Sequence, residues 1–359
     1  MTEIDRLIRQ VKLNCNISDA KFWGSYSICG LLMRYRELYR NECGLMPWDR
    51  IDHSEIGRWI QERESLWNEL ESSELQEIVI DHRAYDPFDI DGLNTQLRDA
   101  GLVYGSGYGI FNKPTFFVAR LEGVRELFDY RIHYAGSELC RDIASTPAML
   151  QGRCIYLRRE ILSSIIWDRF QDLKTNQFGF MTEMMFGHYH VRRSDGLTPE
   201  FLSNVRDLAG DISEILVLHE AGEAYEDEYS GDWHEILSEG CDKATELFLR
   251  GIKDIRADTS PLGPLRAIVE AGSIPRLSCF AALMDGIRRE IAFEIRGAFS
   301  SFLESKDWSE IDRARLACYE RSVRLQSEVV SLWRRSRKRS TIAEYIRGEF
   351  QKTGQKRHE

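Results

Sequence analysis

The stretch Gly101-Leu102-Val103-Tyr104-Gly105-Ser106-Gly107-Tyr108-Gly109-Ile110-Phe111-Asn112-Lys113-Pro114-Thr115-Phe116-Phe117-Val118-Ala119-Arg120-Leu121 interrupts the helical pattern that fills most of the chain. Its aromatic and β-branched residues, punctuated by glycine, read as strand, turn, strand. Just beyond it Phe128, Tyr130, Ile132 and Tyr134 alternate with Asp129, Arg131 and His133, the period-two pattern of a half-buried strand. The expectation is a mainly α fold: a helical domain with a small inserted antiparallel β-sheet at about 101–134. Gly105-x-Gly107-x-Gly109 superficially suggests a phosphate-cradling loop, but strand residues follow it where a dinucleotide fingerprint requires a helix N-terminus, so no nucleotide cofactor is expected.

Around this stretch the apolar spacing is helical. Residues 19–43 read as one helix, and residues 53–73 as another with Ile56, Trp59, Ile60, Trp67 and Leu70 on one face. Arg63 sits inside that face, so it either snorkels at its edge or meets a buried carboxylate. A short helix is expected at 93–100. Beyond the sheet, helices are expected at 136–145, 150–174, 199–228 (Thr198 as N-cap, Pro199 at the first helical position), 234–250, 262–271, 276–304 and 309–337, the last two as an antiparallel hairpin. With no fixed-period repeat and no Pro/Gly/Ser tract, residues 1–337 read as a single domain and 338–359 as a basic C-terminal tail.

The 359 residues carry a net charge of −10, unevenly spread: residues 334–359 hold nine Lys/Arg against three Asp/Glu, leaving −16 for the rest. An acidic body repels phosphate, so nucleic acid is not expected as its partner. Apolar runs are far too short for a membrane span, and Met1-Thr2-Glu3-Ile4-Asp5 lacks the basic and apolar regions of an export signal, which points to the cytoplasm. The eight cysteines are scattered with no C-x-x-C, the usage of reduced, buried thiols and not of a zinc ribbon; Cys140, beside Arg141, is the candidate reactive thiol.

Chemistry concentrates in Leu216-Val217-Leu218-His219-Glu220-Ala221-Gly222-Glu223-Ala224-Tyr225-Glu226-Asp227-Glu228. At about 100° per residue, Phe201, Val205, Leu208, Ile212, Ile215 and Leu216 share one helix face, and His219, Glu223 and Glu226 continue it. Inward-facing carboxylates cost several kcal/mol unless a metal, cationic partners, a raised pKa or water relieves them. His219-Glu220-x-x-Glu223 resembles the zinc-peptidase His-Glu-x-x-His without its second histidine, a spacing better suited to a carboxylate-rich di-iron, manganese or magnesium site between packed helices. Gly222 on the same side permits close approach of another backbone or a ligand. Glu138 and Asp142, one turn apart if 136–145 is helical, would complete the shell, with Arg141 as a clamp. His188-x-His190 has strand-type ligand spacing but no fixed third ligand. Lys253, Asp258 and Thr259, at the end of another helix, suit an anionic group.

Taken together, Phe22-Trp23-Gly24, Pro47-Trp48, Gly101-Leu102-Val103-Tyr104-Gly105, Lys113-Pro114-Thr115-Phe116-Phe117, Glu138-Leu139-Cys140-Arg141-Asp142, His219-Glu220-Ala221-Gly222-Glu223 and Lys253-Asp254 resemble an uncharacterised bacterial family of about this length, a domain of unknown function. That resemblance implies no activity. The residues themselves lead to a metal-dependent enzyme, oxidoreductase or hydrolase, acting on a small molecule. Its ligands to iron, manganese or zinc would be His219, Glu223, Glu226, Glu138 and Asp142, with Glu220, Arg141 and Arg63 in catalytic or orienting roles. The competing expectations are an acidic helical interaction protein or homo-oligomer anchored by tryptophans 23, 48, 59 and 67, and metal-free acid/base chemistry by Glu223 or Glu226.

Overall fold

A computed structural model describes residues 2–175, 179–226, 230–238, 242–284 and 286–355. The chain divides into two units, residues 1–168 and 169–359. Asp227, Glu228 and Cys241 lie outside the described residues, as does the end of the expected tail, 356–359.

Unit 1 begins with α1 (Glu3–Phe22), opened by a reciprocal cap in which Thr2 accepts from the Asp5 amide and Asp5 from the Thr2 amide. A short 3-10 turn at Trp23–Ser25 separates it from α2 (Ile28–Cys43), so the helix expected at 19–43 is split. Asp52 then caps α3 (His53–Leu70). A two-stranded hairpin, β1 (Ile78–Ile80) and β2 (Arg83–Tyr85), leads to α4 (Ile90–Leu97). The main sheet follows: β3 (Leu102–Tyr108), β4 (Pro114–Leu127), β5 (Tyr130–Arg141), β6 (Ala148–Gln151) and β7 (Cys154–Arg158), in spatial order β3-β4-β5-β7-β6. Adjacent strands are antiparallel except β5 and β7, which run parallel.

This corrects the expected fold. The sheet is no small antiparallel insert in a helical domain; it is a mixed five-stranded sheet that forms the centre of unit 1 and reaches Arg158. Residues 136–141, expected as a helix, continue β5, and the segment expected to start a helix at 150 supplies β6 and β7. The reason is tertiary: this end of β5 pairs with β4, Ala119 against Glu138 and Val118 against Cys140, and such pairing overrides the indifferent local propensities of Ser137-Glu138-Leu139-Cys140. Leu7, Val11 and Cys15 of α1 cover one sheet face with Tyr104, Phe116 and Val118, while Val103, Phe117, Ala119, Ala135 and Tyr156 are buried on the other. Glycine in β3 serves packing: a Cβ on Gly105 would stand 2.2 Å from the Phe117 ring. A third cluster joins Ala20, Tyr35, Leu38, Trp67 and Ile143.

The division between the units falls inside α5 (Arg159–Thr175). Unit 2 is helical: α6 (Phe180–His188), α7 (Pro199–Tyr225), α8 (Ser230–Ser238), α9 (Lys243–Thr259), α10 (Pro264–Ala271), α11 (Ile274–Leu283), α12 (Gly286–Ile291), α13 (Phe293–Ser305), α14 (Trp308–Ser336) and α15 (Arg339–Gln355). Helix α7 starts as its sequence predicts, with the Thr198 hydroxyl accepting from the Phe201 amide at 3.1 Å and Pro199 in the first turn. The helix expected at 276–304 is three, α11 to α13. The expected basic tail includes α15, whose Ile342 and Ile346 are buried. Helix α9 packs against α7, α12 and α14, and that packing builds the site. No described helix is long and apolar enough to cross a membrane.

Candidate functional site

Two helices of unit 2 each present a pair of polar residues one turn apart: His219 and Glu223 on α7, Asp254 and Asp258 on α9. They meet because α7 carries Gly222. A Cβ there would stand 2.4 Å from the Ala257 carbonyl oxygen of α9, a distance no side chain tolerates, so only glycine admits this backbone approach.

His219 is oriented from behind. Its Nδ1 lies 2.8 Å from Asp258 Oδ1, and Arg288 of α12 donates through Nη2 to Asp258 Oδ2 at 2.5 Å. Burial works against an ionised Asp258, but Arg288 and His219 hold its pKa below the ordinary carboxylate range. An ionised carboxylate only accepts, so Nδ1 carries a proton toward it and Nε2 is the ring's outward atom. Nε2 lies 3.6 Å from Glu223 Oε1, and the other oxygen of Glu223 accepts from Lys253 Nζ at 2.7 Å. Burial opposes charge on His219 too, yet Asp258 and Glu223 raise it well above the ordinary imidazole value. Glu223 is pulled down against its burial by Lys253 and His219. Asp254 behaves differently: burial pushes it up, only partly offset by Arg288, whose Nε is 4.0 Å from Asp254 Oδ2, and by His219.

The outcome is one point where His219, Glu223 and Asp254 each offer a ligand atom, all within 4.8 Å of one another. Ligands about 2.1 Å from a metal stand at most about 4.2 Å apart, so a small side-chain adjustment closes the set on an ion. An imidazole and two carboxylates form a borderline-to-hard donor set, and three protein ligands leave coordination positions open. The Asp258–His219 bond is the arrangement that fixes ring orientation in metal-ligating histidines.

The other expected site residues stand elsewhere. Glu226, at the end of α7, pairs with Arg256 and accepts from Tyr319 Oη at 2.7 Å. Glu220 is buried beside His219 and helps raise the Lys253 ammonium pKa. Glu138 belongs to β5 of unit 1, where Arg158 grips it with two bonds of 2.6 and 2.9 Å. Asp142, just past β5, faces Lys113 at 3.5 Å and accepts from the Phe116 amide at 2.7 Å. Arg63 does meet a carboxylate, Glu42 at 2.5 Å, with Asn16 at 2.6 Å and Trp59 beneath it. Arg141 lines a cleft of unit 1. His188 and His190 are exposed, and they join no cluster of ligands among the described residues. Burial pushes the Cys140 thiol up to about 12, so it is not a reactive thiolate at neutral pH. Sequence reasoning missed Asp254 and Arg288, and set Asp258 aside as an anion binder; the repeated one-turn spacing in 254/258 and the adjacent Gly222 were the available signals.

Family models match both parts of the chain. Residues 6–158 match the N-terminal domain, and residues 163–352 the C-terminal domain, of a family of unknown function, DUF6866. The chain belongs to this family. The resemblance to an uncharacterised domain family thus holds along nearly the whole chain, and the candidate centre falls in the C-terminal DUF6866 domain, while the five-stranded sheet lies in the N-terminal one. No curated protein and no solved structure matches.

Proposed function

We propose that this protein is a divalent-metal-dependent enzyme acting on a small molecule, with His219, Glu223 and Asp254 as ligands. The convergence of these three donors, with His219 oriented through Nδ1 by a buried, Arg288-anchored Asp258, carries the reading. The mixed nitrogen and oxygen donors suit manganese, iron or zinc. Open positions favour hydrolysis by a metal-activated water. Lys253, partly exposed beside Glu223, would orient an anionic group of the substrate.

Elemental analysis of protein purified without a histidine tag tests this. About one equivalent of a transition metal is expected, and Glu223→Gln or Asp254→Asn should lower affinity at least about tenfold while far-UV circular dichroism is unchanged. Less than about a tenth of an equivalent, with no heat of binding on titration with Mn2+, Fe2+ or Zn2+, would overturn it.

A second reading has its own observation: Lys253 already neutralises Glu223, and Arg288 already neutralises Asp258. A closed charge network of this kind would hold α7, α9 and α12 together in a non-enzymatic protein. It forecasts no metal binding, and a loss of about 1–3 kcal/mol on Glu223→Ala because Lys253 and His219 lose their carboxylate.

A further inference from the structure

Unit 1 holds a cleft of about 230 Å³, smaller than typical pockets for drug-sized ligands. Arg141 lines it, only 6 % exposed. Among the described residues its ion-pair partner is Glu138, 3.5 Å from Nε, and Arg158 already grips both oxygens of that carboxylate. The buried Nε donates to nothing among the described residues. A guanidinium mostly withdrawn from water, with only one carboxylate beside it and that one shared with Arg158, is left under-compensated on the side that lines the cleft.

The cleft's own carboxylates do not fill that role. Glu37 is paired with Arg40 at 2.7 Å and Arg36 at 3.2 Å, and Asp168 with Arg36 at 2.6 Å. A second arginine, Arg34, reaches the cleft through Nη1 bonds to the Ile143 carbonyl and Ser145 Oγ, and stacks over Tyr26. The lining also includes the apolar side chains of Met33, Ile161 and Ile165.

We propose that this cleft binds a small organic monocarboxylate, its carboxylate on the guanidinium of Arg141 and its apolar body against Ile161 and Ile165. The planar fork of arginine matches a carboxylate geometrically. Glu37 and Asp168 in the same lining disfavour a second negative charge, which sets a monocarboxylate above a phosphate dianion. The apolar wall and the small volume call for a short hydrocarbon or a single ring.

Calorimetric titration of the full chain with benzoate and hexanoate, against benzamide, hexanamide and inorganic phosphate, tests the site. At least one carboxylate should bind saturably and about tenfold or more tighter than its own amide and than phosphate. Arg141→Met should abolish that binding, with folding checked by circular dichroism. Ile165→Trp, which fills the cleft and leaves both arginines unsubstituted, should do the same and serves if Arg141→Met does not fold. The proposal is overturned if neither carboxylate binds below about 10 mM, if amide and carboxylate bind alike, or if binding survives in either folded variant.

Discussion

Lys113 stands between Asp19 at 2.9 Å and Asp142 at 3.5 Å, with all three side chains sealed from solvent. One ammonium faces two carboxylates, and they share it unequally. Burial raises both, but Asp142 also has Lys113, Thr115, Arg158 and the Ala144 amide, which together bring it below its ordinary value. Asp19 has Lys113 and the Ile143 amide, and is still pushed up to about 6 from 3.8. A carboxyl whose folded pKa exceeds its unfolded one binds more protons when folded, so stability through this group rises as pH falls from about 6 toward 3.8. Between pH 7 and pH 5 the native protein should therefore gain on the order of 1–2 kcal/mol relative to Asp19→Asn, read as the difference in urea midpoints. Equal pH dependence of the two proteins would refute this assignment. At this scale the sequence was only partly legible. The inward His219 and Glu223 follow from helical periodicity, because both lie on one helix. Asp254 and Arg288 do not, since they depend on which helix packs on α7. Lys113, Asp19 and Asp142 are far apart in sequence, and nothing local announces that they meet.

Gly222 decides the spacing between elements α7 and α9. Gly222→Ala would gain up to about 1 kcal/mol of helix propensity, against about 1–3 kcal/mol for overpacking. Overpacking should win, because the obstructing atom is the Ala257 carbonyl oxygen, backbone that cannot rotate away. The variant should unfold at lower urea concentration. By separating His219 and Glu223 from Asp254 and Asp258, it should also weaken any Mn2+ or Zn2+ binding more than its stability loss explains. Unchanged stability would mean the helices stand further apart than described. Element type was legible where periodicity is sustained, as in α7 and α14, and at β3 and β4, where aromatic residues and glycines punctuate the chain. It failed at 136–141, where Glu138 and Arg141 satisfy a helical pattern as readily as a strand, and only the pairing with β4 decides. The polar residues there are held inside by their own partners, Arg158 for Glu138 above all.

At the scale of the whole molecule, the division at 168 lies inside a helix, and no turn or linker marks it. Sequence composition therefore reads straight across it. Independent folding of unit 1 is expected from its core. The three apolar clusters on and around the sheet, including Val11, Tyr104, Phe116, Trp67, Phe117 and Tyr156, draw every member from residues before 168. The buried Asp19–Lys113–Asp142 and Glu138–Arg158 groups are likewise complete within it. A segment of this size, with apolar clusters and buried ion pairs of its own, is large enough to fold alone. Residues 1–175, cut at the end of α5 so that the helix stays whole, should give a dispersed amide NMR spectrum. Slow hydrogen exchange is expected in β4 and β5, the paired centre of the sheet. A collapsed spectrum at neutral pH would mean that this core does not by itself outweigh the conformational entropy of ordering the fragment.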